Sequence, residues 1–331
     1  MRLLRLILTI LLLVHVTASA KERRPILGDD PNVAAVRVQL DPSDPAKRRV
    51  GALTYLGGVS LSSRDEAFGG FSSLSVAGDL FTLLSDGGNV VRFRMDADFR
   101  VSEPWFDDLP AGPGLGWEKR ERDSESMAVD PASGAVWVGF ERYNQIWRYA
   151  PGLTAPAAGA APPAMARWEA NGGAESMARL HDGRFLVIAE TDRQDRPVRE
   201  ALLFAGDPVA RPDGALRFHY RPPDGFDPSD ATELPDGRVL VLNRRIALPF
   251  RWSAVLTLID LRGVKPDAII AGREVARFAS PLTVDNYEGL VVTREGGATI
   301  LWMVSDDNQF FLQRTLLMKF RVDLAKLPPS P

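Results

Sequence analysis

Two short segments, Glu125-Ser-Met-Ala-Val-Asp130 and Glu175-Ser-Met-Ala-Arg-Leu180, repeat one pattern in this chain of 331 residues. Each is followed by a turn, Ser133-Gly134 or Asp182-Gly183, and then by a run of β-branched, apolar and aromatic residues. Runs of this kind joined by glycine turns form β-hairpins, because glycine accepts the positive φ that tight turns need. The repeat therefore opens on a hairpin.

Weaker copies of the pattern begin at Asp230 and Glu288, and an earlier copy at Ser72 lacks the acid. The copies lie about 50 to 58 residues apart, and two more strand-like runs follow each hairpin, for example residues 145–149 and 165–168. Four antiparallel strands in a repeat of this length are typical of a β-propeller blade.

The two ends of the chain suggest how the ring closes. The last repeat supplies three strands and ends at residues 315–322, while residues 35–40 and 52–61 are strand-like runs outside any repeat. We expect an N-terminal strand to complete the last blade and close a ring of five blades; a sixth blade built from both N-terminal runs is the alternative. Segment 151–163, rich in Ala, Pro and Gly, is interpreted as a loop because the repeat continues across it. The predicted fold class is an all-β propeller in which residues 21–331 form a single domain.

The first twenty residues have the pattern of a secretory signal peptide. Arg2 and Arg5 precede an apolar run, and Ala18-Ser-Ala20 is typical of a cleavage site. We expect cleavage near Ala20, which leaves a periplasmic or secreted chain beginning at Lys21. An uncleaved membrane anchor is the alternative, but stable membrane insertion of the mature chain is not expected.

Composition excludes several classes of function. The formal net charge is −3, and loss of Arg2 and Arg5 would leave −5, which argues against a nucleic-acid partner. The chain has no cysteine, so core burial must hold the fold without disulfides. After removal of the signal peptide, His181 and His219 are the two histidines left, and a three-histidine zinc site is excluded. We expect a monomer.

Acidic residues recur where the first strand of a blade begins, and in a propeller these strand starts converge at one mouth of the central channel. Glu125 and Glu175 are the predicted catalytic residues, and Asp230 and Glu288 are predicted metal ligands at equivalent positions. The second strand of each blade runs antiparallel to the first and returns to the same face. It adds Glu141 and Glu190, the predicted metal ligands Asp86, Asp306 and Asp307, and the predicted substrate-binding residues Arg142, Arg244 and Arg245.

Crowded carboxylates raise one another's pKa unless a cation compensates, and several oxygen ligands suit a hard cation such as calcium. A bound calcium and the arginines could hold a small anionic substrate such as a phosphate ester, with a carboxylate as general base. A purely structural role is also open, since an acid at a strand start can accept bonds from neighbouring backbone N–H groups. Serine hydrolase chemistry is disfavoured, because Gly69-Gly-Phe-Ser-Ser73 lacks the second glycine of a nucleophile elbow.

Several of these segments also match a known pattern: Phe68-Gly-Gly-Phe-Ser-Ser-Leu74, Leu84-Ser-Asp-Gly87, Asp123-Ser-Glu-Ser-Met127, Gly173-Ala-Glu-Ser-Met177, Asn286-Tyr-Glu-Gly289 and Val304-Ser-Asp-Asp-Asn308. Together they resemble the phytase-like family described as "esterase-like activity of phytase", over nearly the whole mature chain. The resemblance implies a bacterial exported β-propeller that hydrolyses phytate or another phosphate ester.

Two features depart from that resemblance. The β-propeller phytases hold several calcium ions in an acidic channel and place lysines and arginines on the phosphates, and the match here stops at the acidic strand starts. Lysine is scarce around the predicted mouth. A competing hypothesis is therefore a non-catalytic propeller of the cell envelope that uses the same mouth to bind a ligand or a protein partner.

Overall fold

The computed structural model describes residues 23–192, 196–247 and 251–329. The predicted signal peptide, residues 1–20, lies outside this part of the chain. The helices found within it are single 3₁₀ turns at Lys119–Glu121, Pro151–Leu153, Pro163–Met165 and Leu324–Lys326. Among these residues no helix has the length and apolar character needed to cross a bilayer.

The described residues otherwise form strands and turns. In chain order the strands are β1 (Ala34–Arg37), β2 (Arg49–Val50), β3 (Leu53–Ser62), β4 (Phe71–Ala77), β5 (Leu80–Ser85), β6 (Asn89–Met95), β7 (Val101–Asp108), β8 (Ser124–Val129), β9 (Val136–Phe140), β10 (Gln145–Tyr149), β11 (Pro156–Ala160), β12 (Ala174–Arg179), β13 (Phe185–Ala189), β14 (Arg199–Phe204), β15 (Ala215–Arg221), β16 (Asp227–Glu233), β17 (Val239–Ala247), β18 (Arg251–Ile259), β19 (Ile269–Ala271), β20 (Arg273–Phe278), β21 (Asn286–Glu295), β22 (Ala298–Asp306) and β23 (Thr315–Val322).

These strands form five blades. Blade 1 contains β4 to β7 and blade 2 contains β8 to β11, while blade 3 contains β12 to β15 and gains β19 in parallel on its outer strand. Blade 4 contains β16, β17, β18 and β20, and blade 5 contains β21, β22, β23 and β3. The innermost strands β4, β8, β12, β16 and β21 contact one another in cyclic order, and β21 returns to β4. The chain is thus a five-bladed propeller, as the repeat predicts.

The N-terminal strand β3 supplies the fourth strand of blade 5. It pairs antiparallel with β23, from Leu53 opposite Val322 to Leu61 opposite Thr315. Strand β1 then pairs with the outer side of β3. Both N-terminal runs therefore belong to one blade, which removes the sixth-blade alternative and confirms closure by an N-terminal strand.

Apolar side chains fill the spaces between the faces of neighbouring blades. Between blades 5 and 1, Val59 of β3 packs in one buried cluster with Phe71 and Phe81 of blade 1 and with Trp302 of blade 5. The rings of Phe81 and Trp302 meet edge to face with centroids 4.9 Å apart. Burial of such large apolar surfaces stabilises a fold without disulfides.

One expectation within blade 2 is wrong. Its fourth strand is β11, which lies inside the segment interpreted as a loop, whereas residues 165–168 form a turn that buries Met165 and Trp168. A composition of Ala, Pro and Gly disfavours strands, but an edge strand needs hydrogen bonds along only one side. Gly159 of β11 pairs with Trp147 of β10, and the indole ring of Trp147 lies over it. A Cβ at residue 159 would lie 2.5 Å from the indole, so this position favours glycine.

Candidate functional site

A β-bulge at one equivalent position of every innermost strand shapes the mouth of the channel. The pairing of the first two strands shifts by one residue in each blade. A bulge leaves one residue unpaired and re-aims its side chain. The five bulged residues are Ser72, Glu125, Glu175, Ser229 and Glu288. The sequence copies therefore correspond to a structural repeat that directs three glutamates and two serines toward one mouth.

The bulge register places Ser229, not Asp230, at the position of Glu125 and Glu175. Asp230 lies one residue further along β16 and is buried. Its Oδ1 accepts a hydrogen bond from its neighbour's backbone, Ala231 N, at 2.7 Å, and its Oδ2 accepts one from Leu290 N on the adjacent blade at 2.8 Å. Asp230 therefore joins blades 4 and 5 through backbone amides.

An apolar collar lies directly below the bulges. It consists of the residue two positions after each bulge, which is Leu74, Met127, Met177, Ala231 and Leu290. A cavity of about 340 Å³ on the far side is lined by the collar and by deeper strand residues, and none of the bulged glutamates lines it. The glutamates thus lie next to the apolar side chains of the collar, which makes ionisation of their carboxyl groups less favourable than in water.

The second strands return to the same face, as their antiparallel direction requires. Asp86, Glu141 and Glu190 each directly follow the last residue of such a strand, while Arg244 and Asp306 lie in the last part of theirs. Loop 109–123 adds two further side chains. We call the resulting group the mouth cluster: Asp86, Lys119, Asp123, Glu125, Glu141, Arg142, Glu175, Glu190, Arg244, Glu288 and Asp306.

Two carboxylate triads within the mouth cluster share Glu141. One triad is Asp123, Glu125 and Glu141, and the other is Glu141, Glu175 and Glu190. In each triad, one oxygen from each residue lies within 4.8 Å of the other two. These separations allow a single cation to contact all three carboxylates of a triad.

Negative charge is in excess here, with eight carboxylates against three cations. Burial first, and then the neighbouring carboxylates of Asp123 and Glu141, raise the pKa of Glu125 well above its usual value. Burial and the carboxylates of Glu190 and Glu125 do the same to the pKa of Glu175. Burial, with Asp123 and Glu190 nearby, raises the pKa of Glu141 to about 8. Without a bound cation, Glu141 therefore keeps its proton at neutral pH, and Glu125 and Glu175 release theirs at a higher pH than usual.

The three cations compensate part of the cluster. Arg244 Nη2 lies 2.8 Å from Glu190 Oε1 and 3.5 Å from Glu288 Oε1. Although burial alone would lower the pKa of Arg244, Glu288 and Glu190 raise it. Lys119 Nζ lies 2.5 Å from Asp86 Oδ2.

The last of the three cations is Arg142, whose Nε lies 2.8 Å from Asp123 Oδ2. Among the described residues, by contrast, the carboxylates of Glu125 and Glu175 have no hydrogen-bond donor and no ion-pair partner. The unsatisfied oxygens thus belong to the two residues that the sequence predicts as catalytic.

Three of the predicted site residues lie outside the mouth cluster: Asp230, whose backbone contacts are given above, Arg245 and Asp307. Arg245 is exposed, and its guanidinium stacks on the ring of Phe226 at 4.7 Å from the centroid. Asp307 accepts hydrogen bonds from Gly70 N at 3.0 Å and from Thr315 Oγ1 at 2.8 Å, so it joins the loop after β22 to the segment before β4.

Sequence reasoning missed two residues of the mouth cluster. Lys119 comes from a 3₁₀ turn in an irregular loop, which carries no periodic signal. Asp123 precedes Glu125 by two residues, a spacing that places two side chains on the same face of a strand. The irregular loop before Asp123, however, gives no sequence signal for where the strand begins. The expectation that lysine is scarce at the mouth holds apart from Lys119.

The family model described as "Phytase-like: Esterase-like activity of phytase" matches residues 66–309, which is most of the chain and includes all five bulged innermost strands. The chain belongs to the phytase-like family. No curated protein matches it.

Two solved structures are similar to this phytase-like chain. The hydrazine synthase of Kuenenia stuttgartiensis is 12% identical, with a TM-score of 0.37 over 72% of this chain and 57% of that one. The major Malassezia sympodialis allergen, Mala s 1, is 14% identical, with a TM-score of 0.42 over 88% of this chain and 96% of that one. The phytase-like chain thus spans little more than half the length of the hydrazine synthase chain.

Proposed function

We propose that this phytase-like protein is an exported hydrolase of a phosphate or other ester, and that its mouth cluster holds a hard cation, with calcium as the first candidate. The observation that carries the proposal is the pair of carboxylate triads that share Glu141. Family membership supports ester hydrolysis, and the geometry supports a cation.

The donor set fits calcium. Calcium takes six to eight oxygen ligands, largely from carboxylates and water, in flexible geometry. Glu125 and Glu175 offer oxygens that have no partner in the described part of the chain, and Glu141 could contribute to both triads. A bound divalent cation would offset the repulsion that now raises the pKa of these carboxylates.

The residues around the triads supply complementary chemistry. Calcium would act as a Lewis acid toward a phosphoryl or carbonyl oxygen. Glu125 and Glu175 would orient water, and a mouth carboxylate that the cation leaves free would act as general base. Arg142, Arg244 and Lys119 would attract an anionic substrate to the mouth.

The remaining predicted ligands divide by position. Glu288 lies beside Arg244, Asp86 lies beside Lys119, and Asp306 lies near Glu288 and Asp86, so all three would support the cation or the substrate. Asp230, Asp307 and Arg245 lie outside the mouth cluster and make the structural contacts described above. We propose that any direct contact of these three residues with a ligand occurs at the edge of the mouth cluster.

Hydrolysis assays on the purified full chain test the proposal. The panel would contain p-nitrophenyl phosphate, bis-p-nitrophenyl phosphate, p-nitrophenyl acetate and phytate, each with calcium, with chelator and with calcium restored. We expect turnover that chelator abolishes and calcium restores, and a loss of about 10²-fold or more in Glu125→Gln and Glu175→Gln. Glu274→Gln, at an exposed residue paired with Arg277, is the matched control.

The same panel separates the competing hypothesis. If calcium binds and raises the melting temperature but no ester turns over, the mouth is a recognition site and the hydrolase proposal fails. If turnover is indifferent to both calcium and chelator, the cation proposal fails while hydrolysis stands.

We also propose that the chain acts in the periplasm or outside the cell as a monomer, after cleavage near Ala20. The basis is the signal-peptide pattern of residues 1–20. N-terminal sequencing of the exported protein is expected to begin at Lys21, and sedimentation is expected to give the mass of one chain. Retention of Met1 in the exported protein would contradict cleavage.

A further inference from the structure

A second cavity, of about 480 Å³, lies between the N-terminal segment and the outer part of blade 5, and no mouth-cluster residue is among the residues that line it. We call it the arginine cavity, because Arg37, Arg48 and Arg314 line it together with Gln39, Tyr55 and Leu56. No acidic residue is among the described residues that line it. Its lining therefore has a net positive charge, whereas the mouth is strongly acidic.

Arg37 is held in place by uncharged groups. Its guanidinium stacks on the Phe99 ring at 4.1 Å from the centroid, and its Nη1 donates to the carbonyl oxygen of Asp98 at 3.4 Å. Gly57 makes this stacking possible, because a Cβ at that position would lie 2.6 Å from the Phe99 ring. The charge of Arg37 is thus positioned without a carboxylate partner in the described structure.

Arg48 is positioned in the same way. Its Nη1 donates to the carbonyl oxygens of Pro45 and Lys47 at 2.6 and 2.9 Å. Burial raises the pKa of Tyr55 to about 12, while Arg37 and Arg48 oppose that rise, as positive charges near a phenol do. Both guanidinium groups therefore lie near the Tyr55 hydroxyl, which also lines the cavity.

Arg314 completes the positive lining. Its Nε lies 3.8 Å from Asp285 Oδ2, a separation too long for a close ion pair. Three arginine side chains, two of them fixed by neutral contacts, thus line one cavity. Arginine forks of this kind suit tetrahedral oxyanions, which accept two parallel hydrogen bonds from one guanidinium.

We infer that the arginine cavity is a binding site for a phosphate group, separate from the mouth cluster. The cavity is within the usual range for small-molecule sites and is larger than a phosphate ion needs. The phosphate group is carried either by free inorganic phosphate or by a phosphate monoester. This inference does not depend on the proposed hydrolase activity.

Calorimetric titration of the full chain tests the site, with chelator present so that cation-dependent binding at the mouth does not contribute. The probes are inorganic phosphate and glucose 6-phosphate. We expect Arg37→Gln/Arg48→Gln to weaken phosphate binding by about tenfold or more, which is the loss of at least one charge-assisted hydrogen bond. Tighter binding of glucose 6-phosphate would assign the cavity to a monoester, and equal or weaker binding to the free ion.

Two variants serve as controls. Arg294→Gln changes an exposed arginine that does not line the cavity and removes one positive charge; it is expected to leave the Kd within about twofold. Leu56→Glu places a carboxylate in the cavity at a partly exposed position of β3, and should abolish binding while the chain still folds. Phosphate binding that survives both cavity variants, or that Arg294→Gln weakens equally, overturns the inference.

Discussion

Glu141 illustrates how single residues of the mouth respond to their surroundings. It is buried, it accepts a hydrogen bond from Gly172 N, and it belongs to both carboxylate triads. Its raised pKa means that the folded protein keeps this proton at pH values where the unfolded chain releases it. One residue therefore couples proton binding, cation binding and stability.

The sign of that coupling gives the first prediction. The stabilisation associated with the protonated form is complete below the unfolded pKa of 4.5, and it is lost as pH rises through the folded value of about 8. With chelator present, Glu141→Gln should weaken the decline of stability between pH 5 and pH 8, by up to about 1.4 kcal/mol per pH unit. Melting curves at pH 5, 6.5 and 8 measure the slope, and Glu274→Gln is the control. A slope equal to that of the unchanged protein would contradict the assignment.

Arg244 provides the second prediction at this scale. Its removal leaves Glu190 and Glu288 without their cation, so Arg244→Gln should destabilise the cation-free protein by about 1–3 kcal/mol, allowing for its partial exposure. Added calcium should recover most of this loss, because a new positive charge replaces the guanidinium. The neighbouring change Arg245→Gln is the matched control, and we expect it to shift the melting temperature little. A deficit that calcium does not reduce would show that Arg244 acts independently of any cation site.

At the scale of elements, the N-terminal strand β3 completes blade 5 and also covers the face of blade 1. Val59 on β3 is fully buried between these blades, whereas Leu56 on the same strand is 41% exposed. The two residues belong to one strand but differ in the apolar surface that they bury. They therefore report separately on strand closure and on local surface effects.

Val59→Ala should lower the free energy of unfolding by about 2 kcal/mol, through lost burial and a residual cavity. Leu56→Ala should change it by no more than about 0.5 kcal/mol. Urea unfolding followed by tryptophan fluorescence measures both. Equal effects from the two changes would indicate that β3 is not an integral strand of the blade.

The elements also show what the sequence could and could not predict. Blade number and closure follow from hairpin spacing and from unpaired strand runs at both ends, and these signals are local. The position of each bulge depends on pairing with the second strand, so Asp230 could not be distinguished from Ser229 by pattern alone. Strand β11 has weak propensity and is held by its pairing with β10, a tertiary contact that composition does not reveal.

The molecule as a whole separates two kinds of charge. Carboxylates gather where three bulged glutamates meet the ends of the second strands, above an apolar collar that limits their hydration. Arginines gather in a separate cavity where the N-terminal segment packs on blade 5. The propeller thus presents a region suited to cations and a region suited to oxyanions on one rigid ring.

Gathering of acids from several blades could be predicted from the repeat, because equivalent strand starts converge by symmetry. Lys119 and Asp123 could not, since an irregular loop places them. The arginine cavity also escapes sequence reasoning: Arg37, Arg48 and Arg314 lie far apart in the chain and share no repeat position.

Proton release on calcium binding is a prediction for the whole site. Several carboxylates of the mouth have raised pKa values, so a cation must displace protons, and its affinity should rise as the pH rises towards about 8, the pKa of Glu141. Titrations in buffers of different ionisation enthalpy would measure the number of protons released. No proton release at pH 7 would contradict the raised pKa values.

Calcium titration of the chelator-treated chain at pH 7.5 tests the central claim most directly. We predict saturable binding with a Kd between about 10⁻⁷ and 10⁻³ M, weakened about tenfold or more by Glu125→Gln/Glu175→Gln and unchanged by Glu274→Gln. Glu141→Gln should weaken binding as well, because both triads share this residue. Absence of saturable binding, or binding that the Glu125→Gln/Glu175→Gln change leaves intact, would contradict a cation site at the mouth of this propeller.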